Sequence, residues 1–149
     1  MNTIFITGGL GYIGSHVAHQ ISKKKVKIIL YDNCLNSDES VFSELKKIVS
    51  SEIVFIKGDI LDTKNLIDIF KKYKVNHVMH FAGLKSVPDS NIDPISYYKN
   101  NISGTISLVE AMNKCDIRKL VFSSSASIYG KPEYLPIDEN HPKKPINPY

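Results

Sequence analysis

The sequence predicts an α/β protein built on a doubly wound parallel sheet, with helices on both faces, that stops after about five strands. Short apolar runs rich in β-branched residues alternate with amphipathic stretches, a rhythm typical of βα units. Within the apolar runs, polar residues do not alternate with apolar ones, as expected for strands that helices cover on both sides. The 149 residues, 42% of them hydrophobic, have room for one globular domain over 1–149.

Five strands are predicted from these apolar runs. They lie at Thr3–Thr7, Val26–Tyr31, Ile53–Lys57, His77–His80 and Leu120–Ser123. Right-handed crossovers between them give the strand order 3-2-1-4-5. The order reverses between strands 1 and 4, and ligands of such sheets bind at the carboxyl ends of the strands near that point.

Four helices are predicted between the strands, and each buries a face marked by helically spaced apolar residues. The first begins near Gly11, the second has Ser37 as its N-cap, and the third follows Asp62. The fourth opens with Asp93 as its cap and Pro94 at its first position. The apolar residues expected in the core are Ile13, Val17, Ile21, Val41, Leu45, Ile48, Leu66, Ile69, Phe70, Ile102, Ile106, Val109 and Met112.

The segment after Tyr129 differs in composition from the rest of the chain. It contains five of the seven prolines and no helical period, so we expect a long loop of the kind that carries function on α/β scaffolds.

Composition excludes several classes of protein. The net charge is +4, but the lysines are scattered or in short runs, which indicates a solvated surface and no nucleic-acid partner. The two cysteines, Cys34 and Cys115, form no CxxC pair and indicate a reducing compartment. We find neither a secretory signal nor an apolar run long enough to span a bilayer. The expected location is cytoplasmic, without membrane contact, and we predict no metal site.

The segment "FITGGLGYIGSH", positions 5–16, follows the first predicted strand and opens the first helix. A turn at Gly8 tolerates positive φ, Gly11 lets a phosphate approach the main chain, and the helix offers N–H groups to that anion. Asp32 ends the second strand eighteen residues after Gly14, the interval of the dinucleotide-binding Rossmann fingerprint. Its carboxylate can accept both ribose hydroxyls and would repel a 2′-phosphate, so the pattern predicts NAD rather than NADP.

Polar and small residues also follow the other predicted strands. Asp59 ends strand three, where the adenine would lie, and "HFAGLK" after strand four combines small residues with the cation Lys85. Strand five ends in the serines of "SSSAS", positions 123–127. His80 taken alone is interpreted as a packed strand histidine rather than a catalyst.

Together these segments resemble the extended short-chain dehydrogenase/reductase superfamily and, within it, the UDP-glucose 4-epimerase (UDP-galactose 4-epimerase) family. The matching segments are "TGGLGYIGSH", "DNCLNS", "GDI", "HFAGLKSV", "YYKNNISGT", "FSSSASIYG" and the terminal "PY". The resemblance implies that the pyrophosphate turn consists of Gly8, Gly11, Tyr12, Ile13 and Gly14. It places the adenosine ribose against Asp32, Asn33, Cys34, Leu35, Asn36 and Ser37, and the adenine beside Asp59 and Ile60. It places the nicotinamide ribose near Phe81, Ala82, Gly83, Leu84, Lys85 and Asn100.

The same resemblance implies a reaction on a UDP-hexose in galactose metabolism. NAD would take a hydride from the sugar C4 and return it to the opposite face of a 4-keto intermediate. Tyr149 would be the catalytic base and also contact NAD, while Ser125 would hydrogen-bond the sugar's 4-oxygen and Lys85 would contact the substrate. The family carries a lysine four residues after that tyrosine, which this sequence does not contain. We therefore expect an incomplete NAD-binding domain that lacks the C-terminal strands and the substrate domain, without epimerase activity and with reduced NAD affinity. The chain is interpreted as part of a longer protein rather than as a natural truncation.

Two other functions stay open at this point. A nucleotide-sugar 4,6-dehydratase of the same superfamily would carry Thr-Asp-Glu after strand five, where this sequence has Ser125-Ala126-Ser127 and no acid. A non-catalytic dinucleotide-binding module would keep the glycines and Asp32 without the chemistry. The resemblance also implies a possible homodimer that pairs through the predicted third and fourth helices.

Overall fold

The computed structural model describes residues 1–149 and contains one five-stranded parallel sheet. The strands are β1 (Asn2–Thr7), β2 (Val26–Asp32), β3 (Glu52–Lys57), β4 (His77–His80) and β5 (Lys119–Phe122). Their order is β3-β2-β1-β4-β5 and every neighbouring pair is parallel. The predicted fold class and strand order are therefore confirmed, with strand ends within one residue of the expected positions.

Adjacent residues of the central strands serve two separate core layers. On one face, Phe5 and Ile29 are register partners and pack against α3 (Thr63–Tyr73) and α6 (Gly104–Lys114). On the other face, Ile6 and Leu30 are register partners and pack with buried residues of α1 (Tyr12–Ile21) and α2 (Ser40–Ile48). Helices cover both faces, as the unbroken apolar runs predict.

Three expectations for the first two helices are wrong in detail. Ile13 is 52% exposed, because α1 turns Gly14 and Ala18 towards the sheet, one residue on from the predicted face. Ser37 does not cap α2, which begins three residues later, because the Ser37 hydroxyl donates to Asp32 Oδ1. Ile48 is exposed because α2 ends there, and the extended residue Val49 packs against the core in its place.

The predicted caps of the later helices agree with the structure. Asp62 accepts a hydrogen bond from Asn65 N–H at the start of α3, and Asp93 accepts one from Ser96 N–H. The predicted fourth helix is broken into α5 (Pro94–Tyr97), a π-helical turn (Tyr98–Ser103) and α6, and a short α4 (Val87–Ile92) that the sequence did not indicate precedes it.

The buried face of α6 also differs from the prediction. Met112 is buried as predicted, but it lies in the core with Leu108 and Ala111, whereas the predicted core residues Ile102, Ile106 and Val109 are exposed. The core side packs on α3, so these three residues face away from the sheet. Ile95, Tyr98, Ile102, Ile106 and Val109 follow one another at intervals of three or four residues, and we call this exposed set the helical apolar stripe.

The last part of the chain has little regular structure. β5 lies at the sheet edge and leaves Val121 and Phe122 more than half exposed. A 3₁₀ turn spans Ala126–Tyr129, and residues 130–149 form the expected loop without helix or strand. None of the helices combines the length and the apolar character that crossing a membrane requires.

Candidate functional site

The glycine turn between β1 and α1 brings two backbone segments into direct contact. Gly8 has φ of +63°, and a Cβ atom there would lie 2.6 Å from the Ala82 backbone nitrogen. A Cβ atom on Gly14 would overlap the Gly8 carbonyl oxygen. Side chains are excluded at both positions, so bare backbone borders the carboxyl ends of β1 and β4.

The N-terminus of α1 opens from this turn and has no competing partner. Its N-cap is Gly11, no side chain accepts from its first N–H groups, and its first turn contains no acidic residue. The partial positive charge at this helix end is therefore free for an anionic ligand group.

The Asp32 carboxylate ties the glycine turn to the segment after β2. Its Oδ2 atom accepts Leu10 N–H at 3.0 Å, and its Oδ1 atom accepts Cys34 N–H at 2.9 Å and the Ser37 hydroxyl at 3.0 Å. Cys34 is held at φ of 60°, and burial, followed by the charge of Asp32, raises the pKa of its thiol. The carboxylate is thus fixed at the end of β2, where the sequence predicts the ribose contact.

A cavity of about 270 Å³ lies over these strand ends. Asp32 and Lys85 are the only charged side chains that line it. The site residues predicted from the sequence that the structure brings together around it are Gly8, Gly11, Tyr12, Ile13, Gly14, Asp32, Asn33, Leu35, Asn36, Ser37, Ile60, Phe81, Ala82, Gly83, Leu84, Lys85 and Asn100.

Two residues of the cavity wall were missed by the sequence reasoning. Gly58 follows β3, and a Cβ atom there would overlap the Tyr31 ring. The Tyr31 hydroxyl donates to the Asp59 carbonyl at 2.9 Å, and burial raises its pKa to about 12. The sequence could have indicated both, because Tyr31 directly precedes Asp32 and Gly58 directly precedes Asp59 at the ends of β2 and β3.

Two predicted cofactor residues, Cys34 and Asp59, lie next to the cavity lining but are not part of it. Cys34 lends its backbone N–H to Asp32, and Asp59 accepts Asn33 Nδ2 at 3.1 Å through one oxygen and Leu61 N–H through the other. Neither side chain lines the cavity. Both position neighbours that do.

The loop of residues 81–85 is clamped by an asparagine that was also missed. Asn101 Oδ1 accepts Leu84 N–H and its Nδ2 donates to the Leu84 carbonyl, both at 2.8 Å. The neighbouring Asn100, which lines the cavity, donates to the same Oδ1 atom at 2.8 Å. Both asparagines lie in the π-helical turn, a local irregularity that often marks functional sites.

The two predicted catalytic residues lie outside the cavity wall. Ser125 is half-buried, and its hydroxyl accepts Ser127 N–H at 3.1 Å at the start of the 3₁₀ turn. The Tyr149 ring packs edge-on against the buried Tyr97 ring, with centroids 6.4 Å apart. The structure therefore gathers most of the predicted cofactor residues around the cavity, but not Ser125 and Tyr149.

Sequence comparison relates the chain to known enzymes. The family described as GDP-mannose 4,6 dehydratase matches residues 5–149. UDP-glucose 4-epimerase of Bacillus subtilis (strain 168) is 42% identical over 98% of this chain and 43% of its own length. UDP-glucose 4-epimerase of Dictyostelium discoideum is 43% identical over 98% of this chain and 42% of its own length. The chain thus spans less than half of these relatives and fits their N-terminal portion.

Solved structures show the same relationship. UDP-glucose 4-epimerase from Stenotrophomonas maltophila, with bound NAD and formylated UDP-arabinopyranose, superposes with a TM-score of 0.96 at 36% identity. This alignment covers 100% of the present chain and 44% of that one. The Bifidobacterium longum enzyme, in complex with NAD+ and UDP, gives a TM-score of 0.96 at 36% identity over 99% of this chain and 44% of its own.

Proposed function

Since the chain belongs to the GDP-mannose 4,6 dehydratase family, we propose that it is the NAD-binding portion of a UDP-glucose 4-epimerase. The observation that carries this proposal is the Asp32 carboxylate, held between the glycine turn and the segment after β2 at the wall of the cavity. The NAD bound by the epimerases from Stenotrophomonas maltophila and Bifidobacterium longum supports it independently.

The residues present fit a dinucleotide. The pyrophosphate would lie over the glycine turn, whose backbone no side chain covers at Gly8 or Gly11, and would face the uncapped N-terminus of α1. Asp32 would accept the ribose hydroxyls, and its negative charge would reject a 2′-phosphate. Lys85 and Asn100 would border the other half of the molecule. Bound NAD would accept and return a hydride, and the protein would orient the reacting carbon.

A titration tests the cofactor assignment. We expect NAD to bind the wild-type chain and to bind Asp32→Ala at least about 10-fold more weakly, because one charge-assisted hydrogen bond contributes about 1.5–3 kcal/mol. Asp68→Ala, on the exposed side of α3, is the matched control and should bind as the wild type does. Identical calorimetric traces for Asp32→Ala and Asp68→Ala would refute the ribose assignment.

The epimerase assignment extends the proposal to Ser125, Lys85 and Tyr149. Tyr149 would remove the proton of the sugar 4-hydroxyl, and Ser125 would hydrogen-bond the same oxygen, with Lys85 near the substrate. Tyrosine has an ordinary pKa of about 10, so this role requires positive charge beside the phenol in the assembled enzyme.

A chimera tests that chemistry. We would replace the corresponding portion of the Bacillus subtilis enzyme by this chain and measure the interconversion of UDP-glucose and UDP-galactose. The expected result is turnover that Tyr149→Phe abolishes while NAD binding persists. A chimera that binds NAD but leaves both UDP-hexoses unchanged would contradict the epimerase assignment and favour a non-catalytic dinucleotide-binding module.

The family match favours a 4,6-dehydratase as the second candidate. The segment after β5 reads Ser125-Ala126-Ser127 and offers no carboxylate for the elimination of water. We therefore expect the same chimera to release no dehydrated product from GDP-mannose. Formation of a 4-keto-6-deoxy sugar would reverse the order of the two candidates.

We further propose that the assembled protein is a homodimer that pairs through the helical apolar stripe. The stripe runs along α5, the π-helical turn and α6, with exposed fractions from 45% to 72%. Ile106→Lys, within the part of the stripe on α6, should shift the mass measured by light scattering from dimer to monomer. Lys114→Glu, at the end of α6, is the control and should leave the mass unchanged.

A further inference from the structure

His80 is a buried titratable side chain for which the proposed reaction has no use. It ends β4, is 2% exposed, and its ring packs 5.5 Å from the Phe122 ring. Both ring nitrogens nevertheless have polar partners far away in the sequence. Nδ1 lies 2.6 Å from Thr7 Oγ1 on β1, and Nε2 lies 3.0 Å from Thr105 Oγ1 on α6.

The partners of these two hydroxyls fix the direction of every hydrogen bond. Thr7 Oγ1 accepts the Ala82 N–H at 3.2 Å and shares the Phe81 N–H, also 3.2 Å away, with the Thr7 carbonyl at 3.1 Å, so its own proton is directed to His80 Nδ1. The ring proton therefore resides on Nε2 and is donated to Thr105 Oγ1. The Thr105 hydroxyl in turn donates to the Asn101 carbonyl at 2.6 Å.

This chain of hydrogen bonds joins two segments that border the cavity. Thr7 directly precedes Gly8, the residue whose backbone contacts Ala82. At the other end, Asn101 clamps Leu84 and receives Asn100 Nδ2. The 81–85 loop is thus held by Thr7 on one side and by Asn101 on the other. The His80 ring connects Thr7 to Thr105, which donates to Asn101.

From this geometry we infer that His80 is a positioning residue of the cofactor site, because its neutral ring links Thr7 to Thr105 and so fixes the 81–85 loop against the glycine turn. The inference rests on the proposed binding of NAD. It assigns His80 no contact with the cofactor or the substrate. A residue that served packing alone would fill the same space without orienting either hydroxyl.

Three proteins test this role by titration with NAD and, separately, with AMP. His80→Phe keeps a ring of similar size and removes both hydrogen bonds, whereas His80→Asn keeps an acceptor near the position of Nδ1. We expect His80→Phe to raise the Kd for NAD about 10-fold and His80→Asn to lie between it and the wild type. The Kd for AMP, which would reach Asp32 but not the 81–85 loop, should change by less than about twofold.

The outcomes separate this inference from the function on which it rests. NAD binding that is lost in Asp32→Ala but unchanged in His80→Phe overturns the role of His80 and leaves the proposed function intact. Equal losses for NAD and AMP in His80→Phe also overturn it, because they indicate a general loss of structure. A wild-type chain that binds no NAD refutes the proposed function itself.

A measurement on the wild type does not depend on how the variants fold. Imidazole ¹⁵N resonances of His80 should show a single neutral tautomer at pH 7 with the proton on Nε2 and Nδ1 accepting. A proton on Nδ1, or the averaged signals of two exchanging tautomers, would overturn the hydrogen-bond direction on which the inference depends.

Discussion

The burial of His80 makes the stability of the fold depend on pH. Burial lowers the pKa of the His80 imidazole from 6.5 to about 4. Below pH 6.5 the unfolded chain binds a proton at this position that the folded chain does not, so acid favours unfolding. The contribution of the neutral His80 ring to the free energy of unfolding is fully present above pH 6.5 and is lost as the pH falls towards 4. Between pH 7 and pH 5 the free energy of unfolding falls by about 2 kcal/mol through this group.

Urea denaturation of the wild type and of His80→Phe at several pH values measures this contribution. Phenylalanine carries no proton, so the wild type should lose about 2 kcal/mol more than the variant between pH 7 and pH 5. His16→Gln, which removes an exposed histidine of α1, is the control and should follow the wild type. Parallel pH profiles for wild type and His80→Phe would refute the assignment of a neutral buried ring.

Two further predictions concern single contacts of the fold. Gly14→Ala should lower the free energy of unfolding, measured in urea, by about 1–3 kcal/mol, because its Cβ would overlap the Gly8 carbonyl. In the control Gly11→Ala the Cβ would lie 3.3 Å from the same oxygen, so the free energy of unfolding should fall by less than half as much. Equal effects of the two substitutions would contradict the close approach at Gly14. Asp62→Ala should cost about 1 kcal/mol through loss of the α3 N-cap, and restoration of stability by Asp62→Ser but not by Asp62→Leu would identify capping as the cause.

The sheet and the glycine turn could be predicted because their signals are local. Each strand is a short apolar run, and the turn residue at Gly8 and the strand-end acid at Asp32 occupy fixed positions relative to those runs. The parallel topology then brings the strand ends together at one edge, so the cavity lining follows from the strand order.

The rest depends on contacts between distant residues. Ser37 has the character of an N-cap, but the Asp32 carboxylate accepts its hydroxyl and α2 begins later. The clamp between Asn101 and Leu84 requires the π-helical turn, whose geometry no period in the sequence marks. The face of α6 was misassigned because Ile106 and Leu108 are equally apolar, and only packing on α3 decides which one is buried.

Every residue that lines the cavity lies between positions 8 and 100. β5, the 3₁₀ turn and the proline-rich loop contribute nothing to its wall. Under the proposed function, the residues that would hold NAD and the proposed catalytic residues Ser125 and Tyr149 therefore lie in separate stretches of the chain. The proposal then implies that substitutions after position 100 that spare the Asn101 clamp and Thr105 would change the chemistry on the sugar without altering how the dinucleotide is held. On the same proposal, one dinucleotide-binding scaffold would serve both epimerases and dehydratases.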